Sequence, residues 1–177
     1  RVEITGTEKT GADRPSGTIT SEESFLPQLG LVYKYDGSNE LFAGIAQNMR
    51  AIYTQPFGTT QAGFDAIKDN LKPETSTTYE AGWRFRNKQF EGVLSLYHVD
   101  FKDRLLTISS GPAIISSPSI LANVGAVESD GIDAGISWKF APRLTWFNSI
   151  SINSTEYKED YMDGTTLRTV SGKQVVG

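Results

Sequence analysis

From Thr77 to Arg86 the chain changes chemical character at every step. Thr77, Tyr79, Ala81, Trp83 and Phe85 fall on one parity, and Thr78, Glu80, Gly82, Arg84 and Arg86 on the other. Successive side chains of an extended strand point to opposite sides, so this period of two predicts a strand with one apolar and one charged face. A short turn at Asn87-Lys88-Gln89 returns the chain as a second strand, Phe90 to Leu105. The medium against the apolar face decides the architecture.

The pattern recurs along the chain. Phe25, Pro27, Leu29, Leu31, Tyr33 and Tyr35 alternate with Leu26, Gln28, Gly30, Val32 and Lys34, and Asp36-Gly37-Ser38-Asn39 has the composition of a tight turn. The return strand, Glu40 to Tyr53, sets Leu41, Ala43, Ile45, Met49 and Ala51 against Glu40, Gly44, Asn48 and Arg50, with Gln47 as a misfit. Ile132, Ala134, Ile136, Trp138 and Phe140 alternate with Gly131, Asp133, Gly135, Ser137 and Lys139. Ala141-Pro142-Arg143 then turns into Leu144, Trp146, Ile150 and Ile152. Within Phe90 to Leu105 the parity is broken by Val93, Leu94 and Leu96, and Tyr97, Val99 and Phe101 are expected on the apolar face against His98, Asp100 and Lys102. Arg1 to Thr5 is expected to end a preceding strand, and Lys173 to begin a following one.

Between these short turns lie polar stretches, Thr54 to Asn70, Ser109 to Ala122 and Glu156 to Gly172, expected as long loops. A first loop links Arg1–Thr5 to Phe25. Short and long connections therefore alternate, as in an antiparallel up-and-down meander with short turns at one end and long loops at the other. The fold class is all-β, and outer-membrane barrels carry this asymmetry, although a soluble up-and-down barrel shares it.

The rings separate these two. Trp83, Trp138 and Trp146 lie within a few residues of a short turn, beside Tyr33, Tyr35, Phe85 and Phe140, all on the apolar parity. Amphipathic rings at one height are what a membrane–water interface selects. A second set, Tyr53, Tyr79, Tyr97, Phe101 and Tyr157, is expected one strand-length away. The outward residues between are mostly Leu, Ile, Val and Ala, over the roughly nine to eleven residues a tilted strand needs to cross hydrocarbon. A sandwich core filled with aromatics is the alternative, but it has no reason to sort rings into two heights.

Several classes of function lose support. There is no cysteine, hence neither a disulfide framework nor a thiolate site, and His98 is the single histidine. A formal charge of −4 gives no basis for nucleic-acid binding. No nucleophile–base pair, metal cluster or phosphate loop is visible, so no catalytic residue is assigned and an enzyme is not expected. A run of about eighteen apolar residues, the mark of a spanning helix, is missing, which leaves strands as the spanning element. The chain starts at Arg1 without a methionine and stops at Val175-Val176-Gly177 in apparent mid-strand, so a fragment of a longer protein is expected, with any leader outside it.

Asn70-Leu71-Lys72-Pro73-Glu74-Thr75-Ser76, followed by Tyr79-Glu80-Ala81-Gly82, resembles a signature in the barrel of TonB-dependent outer-membrane receptors. Leu26 to Tyr33, Ser95 to Asp103, Asn123-Val124-Gly125 with Gly131-Ile132-Asp133, and Ser171 to Gly177 resemble further pieces of that family in the same order. Asn48-Met49-Arg50-Ala51-Ile52 departs from it, lacking the proline that commonly follows.

The resemblance implies a partial barrel domain over residues 1–177 with no internal boundary, about six to eight strands of a plugged barrel of about 22. The plug and the segment that engages the TonB energy-coupling protein would lie outside this stretch. It further implies a Gram-negative outer-membrane importer of a scarce large ligand, most often a ferric siderophore, with the iron carried inside the ligand and no cofactor or protein-bound metal. Lipid, the coupling protein and the ligand are the expected partners. A passive porin or structural barrel, and a soluble β-barrel or sandwich that binds a ligand, are the alternatives.

Arg50, Gln55, Phe57, Phe64 and His98 are the upper or loop residues expected as ligand-binding candidates. Glu80, Arg84 and Arg86 are expected to face the lumen, either pairing with the plug or solvated by channel water, with Gly82 leaving room for the plug's approach. Pro73, lacking an N–H, suits the start of a strand where a loop descends into the barrel.

Overall fold

The short turns are closed by their own side chains. Asp36 Oδ1 accepts the N–H groups of Ser38 at 2.6 Å and Asn39 at 2.7 Å, which holds its carboxyl below the ordinary carboxylate range. Asn87 Oδ1 does the same for Gln89 and Phe90, at 2.9 and 2.8 Å. Such Asx turns set the strands on either side of them in register.

The computed structural model describes residues 1–6, 15–52, 61–109, 119–163 and 166–175. In chain order the elements are β1 (Val2–Gly6), β2 (Gly17–Ser21), β3 (Gln28–Lys34), β4 (Asn39–Arg50), α1 (Gln61–Ile67), β5 (Glu74–Arg86) and β6 (Phe90–Lys102). They continue with β7 (Leu105–Ser109), β8 (Ser119–Asn123), β9 (Val127–Ala141), β10 (Leu144–Tyr157), β11 (Tyr161–Asp163) and β12 (Thr166–Arg168). A six-stranded antiparallel sheet, ordered β10-β9-β6-β5-β4-β3, forms the body. Beyond it, the backbone near Gln174 bridges to Glu156, with Tyr157 N–H donating to the Lys173 carbonyl at 2.9 Å.

The regions expected as loops carry structure of their own. β1 pairs with β2 rather than standing alone, β7 with β8 and β11 with β12, and α1 sits within the stretch before β5. These short hairpins escape a sequence search because each strand has only three to five residues, too few for alternation to show.

Registers assign every strand residue to a face. Leu31, Ala43, Ala81, Leu96, Ile132 and Ile152 line up across the sheet on one side. One step along, Gly82 pairs with Phe42 and Ser95, and Ser95 with Asp133, on the other. The parity expected for β6 is thereby reversed: Leu94, Leu96 and His98 join Trp83, Ala81 and Tyr79, while Tyr97, Val99 and Phe101 face the polar side. The apolar character of those three misled the pattern, yet each of the two rings has a local reason to be there. The Tyr97 ring lies over Gly131, and Phe101 sits 4.0 Å under the Arg104 guanidinium.

Gly82 matters in the same way. A Cβ there would collide with the Phe42 ring and the Leu94 carbonyl oxygen, so the room expected for a plug is filled from the neighbouring strands.

The compact apolar cluster lies at the long-loop end and not within the sheet. Ile19 of β2, Ile52, Phe64 of α1 and Leu105 of β7 pack together with Leu71 against them.

Candidate functional site

The two faces of the six-stranded sheet differ in kind. On the first, large apolar side chains stand uncovered: Leu31 is 71% exposed, Ile152 61% and Leu96 56%. Water is a costly neighbour for a contiguous surface of this sort, at about 25 cal/mol per Å².

Rings border it at the short-turn end. Trp83 stacks on Phe85 with centroids 4.9 Å apart, Phe90 on Trp138 at 5.8 Å, and Trp138 meets Phe140 at 5.5 Å. Trp146 is registered opposite Trp138, Tyr33 opposite Leu41 and Leu41 opposite Trp83, and Tyr33, Tyr35 and Trp146 are exposed. Phe90 belongs to this band although sequence reasoning passed over it, since its place depends on the true parity of β6. The Trp83 indole N–H donates to Asn39 Oδ1 at 3.1 Å, so the ring is tethered at its polar end.

Among the described residues a second outward ring band does not form. Of the expected set, Tyr79 faces outward; Tyr97, Phe101 and Tyr157 lie on the opposite face, and Tyr53 is outside the described residues. The apolar surface ends instead in a charged row. Asp100, Glu128 and Glu156 are registered side by side, and Lys158 Nζ reaches Glu128 at 2.8 Å and Glu156 at 3.7 Å. From the Phe90 row, strands rising about 3.3 Å per residue at about 40° of tilt span roughly 20 Å to the row where His98 pairs with Asp130 and roughly 25 Å, the height of an outer-membrane apolar band, to the Asp100 row.

The second face is concave and polar. Lys34, Glu40, Arg84, Glu91, Asp133 and Phe147 line a concavity of about 1120 Å³ toward the short turns. Arg84 lies 3.3 Å from Glu40 and 4.2 Å over the Phe42 ring, Arg86 pairs with Glu91, and Glu80 is exposed on the same face.

The expected ligand residues scatter. Arg50 ends β4 on the polar face, half-exposed, 3.8 Å from Glu74. Phe64 is fully buried in the loop-end cluster, so it supports the loops and is not presented to a ligand. His98 occupies the outward face, its Nδ1 2.7 Å from Asp130 and its Nε2 3.0 Å from Asp100, with the Tyr79 ring 6.1 Å away. It therefore cannot line the polar wall, because the β6 register turns it the other way. Gln55 and Phe57 lie outside the described residues.

What sequence reasoning left unassigned is the joint beneath Arg50. Glu74, 5% exposed, accepts the Leu105 N–H at 2.8 Å and meets Arg104 at 3.3 Å. Asn123 accepts the Lys72 N–H at 2.9 Å and donates to the carbonyls of Lys72 and Asp103 at 3.0 and 2.6 Å. The Lys72-Pro73-Glu74 and Asn123-Val124-Gly125 pieces are thus halves of one contact. The sequence signal was their presence together; no periodicity could show that they touch.

Known proteins agree with this geometry. A family model described as TonB dependent receptor-like, beta-barrel, matches residues 1–176. The pesticin receptor of Yersinia enterocolitica is 25% identical over 147 residues, covering 80% of this chain and 20% of that receptor. Among solved structures, the ferric yersiniabactin uptake receptor FyuA from Yersinia pestis superposes with a TM-score of 0.59 at 18% identity, over 91% of this chain and 22% of that one. The FrpB iron transporter from Neisseria meningitidis gives 0.57 at 17%, over 80% and 21%. The siderophore receptor PirA from Acinetobacter baumannii gives 0.55 at 18%, over 90% and 26%. The chain spans about a fifth of the length of the curated relatives it matches.

Proposed function

This chain belongs to the TonB-dependent receptor-like β-barrel family, a family of receptors and transporters, and on that premise we propose that it forms one wall of an energy-coupled importer in a Gram-negative outer membrane. The observation that carries the reading is the opposition of faces: an uncovered apolar surface bordered by rings, backed by a concave charged wall. The first surface fits lipid and the second a plugged, hydrated lumen.

A ferric siderophore is the proposed cargo. In support, relatives of like fold are a ferric yersiniabactin uptake receptor, an iron transporter and a siderophore receptor. The iron would travel inside its chelator, so the wall needs hydrogen bonds and rings rather than metal ligands. Arg50, at the loop end of the polar face, is the described residue best placed to meet an anionic chelate. Coupling to TonB would run through segments outside this stretch.

Uptake of radiolabelled ferric chelates by cells carrying the full-length protein tests the reading. Accumulation that disappears when the receptor or the coupling protein is deleted is expected. Entry that persists without the coupling protein would make the barrel a passive pore, and no receptor-dependent uptake of any chelate would remove the iron assignment.

A further inference from the structure

Side-chain-to-backbone bonds are distributed unequally between the two ends of the sheet. At the Asp36 and Asn87 turns they join residues two or three apart. At the long-loop end the Asp160 and Lys173 bonds are also local, but four further bonds join segments 31 to 51 residues apart. The Ile52 N–H is held by Ser21 Oγ at 3.0 Å, and the Leu105 N–H by Glu74. The Lys72 N–H is held by Asn123, and the Ala126 N–H by Glu159 Oε2 at 3.1 Å. Successive links share a segment. Ile52 packs in one cluster with Leu105 and Phe64; Leu105 is tied to Glu74, two residues from Lys72; Lys72 is tied to Asn123, three residues from Ala126. The Asp103 carbonyl, held by Asn123, closes the circuit back to the β6–β7 corner.

We propose that the long-loop rim of this sector is one mechanical unit, in which the backbone at Ile52, Lys72, Leu105 and Ala126 opens together. Each clamp satisfies a backbone donor that has left the sheet ladder, and losing a partner exposes an unpaired group at a cost that the neighbouring clamp shares. A disturbance in one connection is therefore felt in all of them. Only the consequence for cargo rests on the importer reading: the clamped backbone of this rim would meet a ligand as a single plate.

Hydrogen exchange on the full-length protein in detergent micelles tests this without any ligand. Asn123→Ala removes the clamp on Lys72 and leaves the acceptors of Ile52, Leu105 and Ala126 in place. Exchange at all four amides is expected to rise, by at least about fivefold at the three remote ones, as in a cooperative opening unit. A rise confined to Lys72 and the neighbours of Asn123 overturns the proposal. If Asn123→Ala does not assemble, Asn123→Asp keeps the Lys72 acceptor, loses both donors and is read at the remote amides: a joint rise at Ile52, Leu105 and Ala126 supports the unit, and no rise there overturns it. In the unaltered protein the four amides should share one protection factor within about tenfold, and a wider spread would refute the single unit.

Discussion

Placing a lysine at Leu96 tests both the medium on the outer face and the reversed parity of β6. Leu96 is registered between Ala81 and Ile132, about midway from the Phe90 ring row to the charged Asp100 row. At about 3.3 Å per residue and about 40° of tilt it lies within roughly 3 Å of the centre of a 25 Å band. A lysine on the lipid face at that depth costs about 2–4 kcal/mol, falling to about 0–1 kcal/mol near an interface. The internal reference is Asp133→Lys. Asp133 is registered beside Ser95, one step from Leu96 but on the polar face, and the native residue is already charged there. The assay is denaturant titration of the full-length barrel folding into lipid vesicles. Leu96→Lys should lose about 2–4 kcal/mol and Asp133→Lys less than about 1 kcal/mol. Equal costs at the two positions, or a cost at Leu96 below about 1 kcal/mol, would mean that this face is not bathed in hydrocarbon at that depth.

Other outcomes follow from the joint, the glycine contact and the loop carboxylate. Glu74→Ala strands the Leu105 N–H and the Arg104 guanidinium and should cost about 3–5 kcal/mol in the same titration, with Glu74→Gln milder because it keeps an acceptor; a loss under about 1 kcal/mol for the alanine would show the carboxylate to be idle. Gly82→Val should cost about 1–3 kcal/mol by driving a side chain into the Phe42 ring and the Leu94 carbonyl oxygen, and Phe42→Ala should relieve only the part owed to the ring; additive losses in the double variant would refute the ring contact. Asp160, which accepts the N–H groups of Ser171 and Val170, has its pKa lowered from 3.8 by those bonds. A depressed carboxylate contributes order above its unfolded value and loses it as pH falls through the folded one. The Ser171 and Val170 amide resonances should therefore titrate in the acid range with a midpoint below 3.8, and a midpoint at or above 3.8 would contradict the bonds.

Much of the sheet was legible because three physical signals coincide there. Alternation marks the strands, Asp36-Gly37-Ser38-Asn39 and Asn87-Lys88-Gln89 mark the turns, and the tryptophans mark one height. β6 defeated the first signal, since its inward side carries Val93, Tyr97, Val99 and Phe101 for packing on the lumen wall, and alternation cannot tell wall packing from lipid contact. The expected upper ring band failed with it. The site was read less well, and for a different reason. Phe64 was expected near a ligand because aromatic loop residues often are, but its burial depends on Ile19, Ile52 and Leu105, which come from segments far apart in sequence. Glu74 and Asn123 were visible as parts of a family likeness, while their roles as backbone clamps required knowing which amides leave the ladder.

The rings that cover glycines have a bearing on assembly. The Asx turns set the register inside the β3–β4 and β5–β6 hairpins, but the β4–β5 and β6–β9 seams join hairpins through long connections that leave the sliding coordinate open. Facing apolar stripes resist a slip of one residue and tolerate a slip of two. Phe42 over Gly82 and Tyr97 over Gly131 sit on those two seams. A slip of two would set Phe42 against Glu80 or Arg84, and Tyr97 against Ser129 or Asp133, where no hollow receives a ring. Prefabricated hairpins can thus be joined by shape, each ring acting as a dowel that finds its hole in the next unit, with the long connections free to vary in length without misaligning the wall.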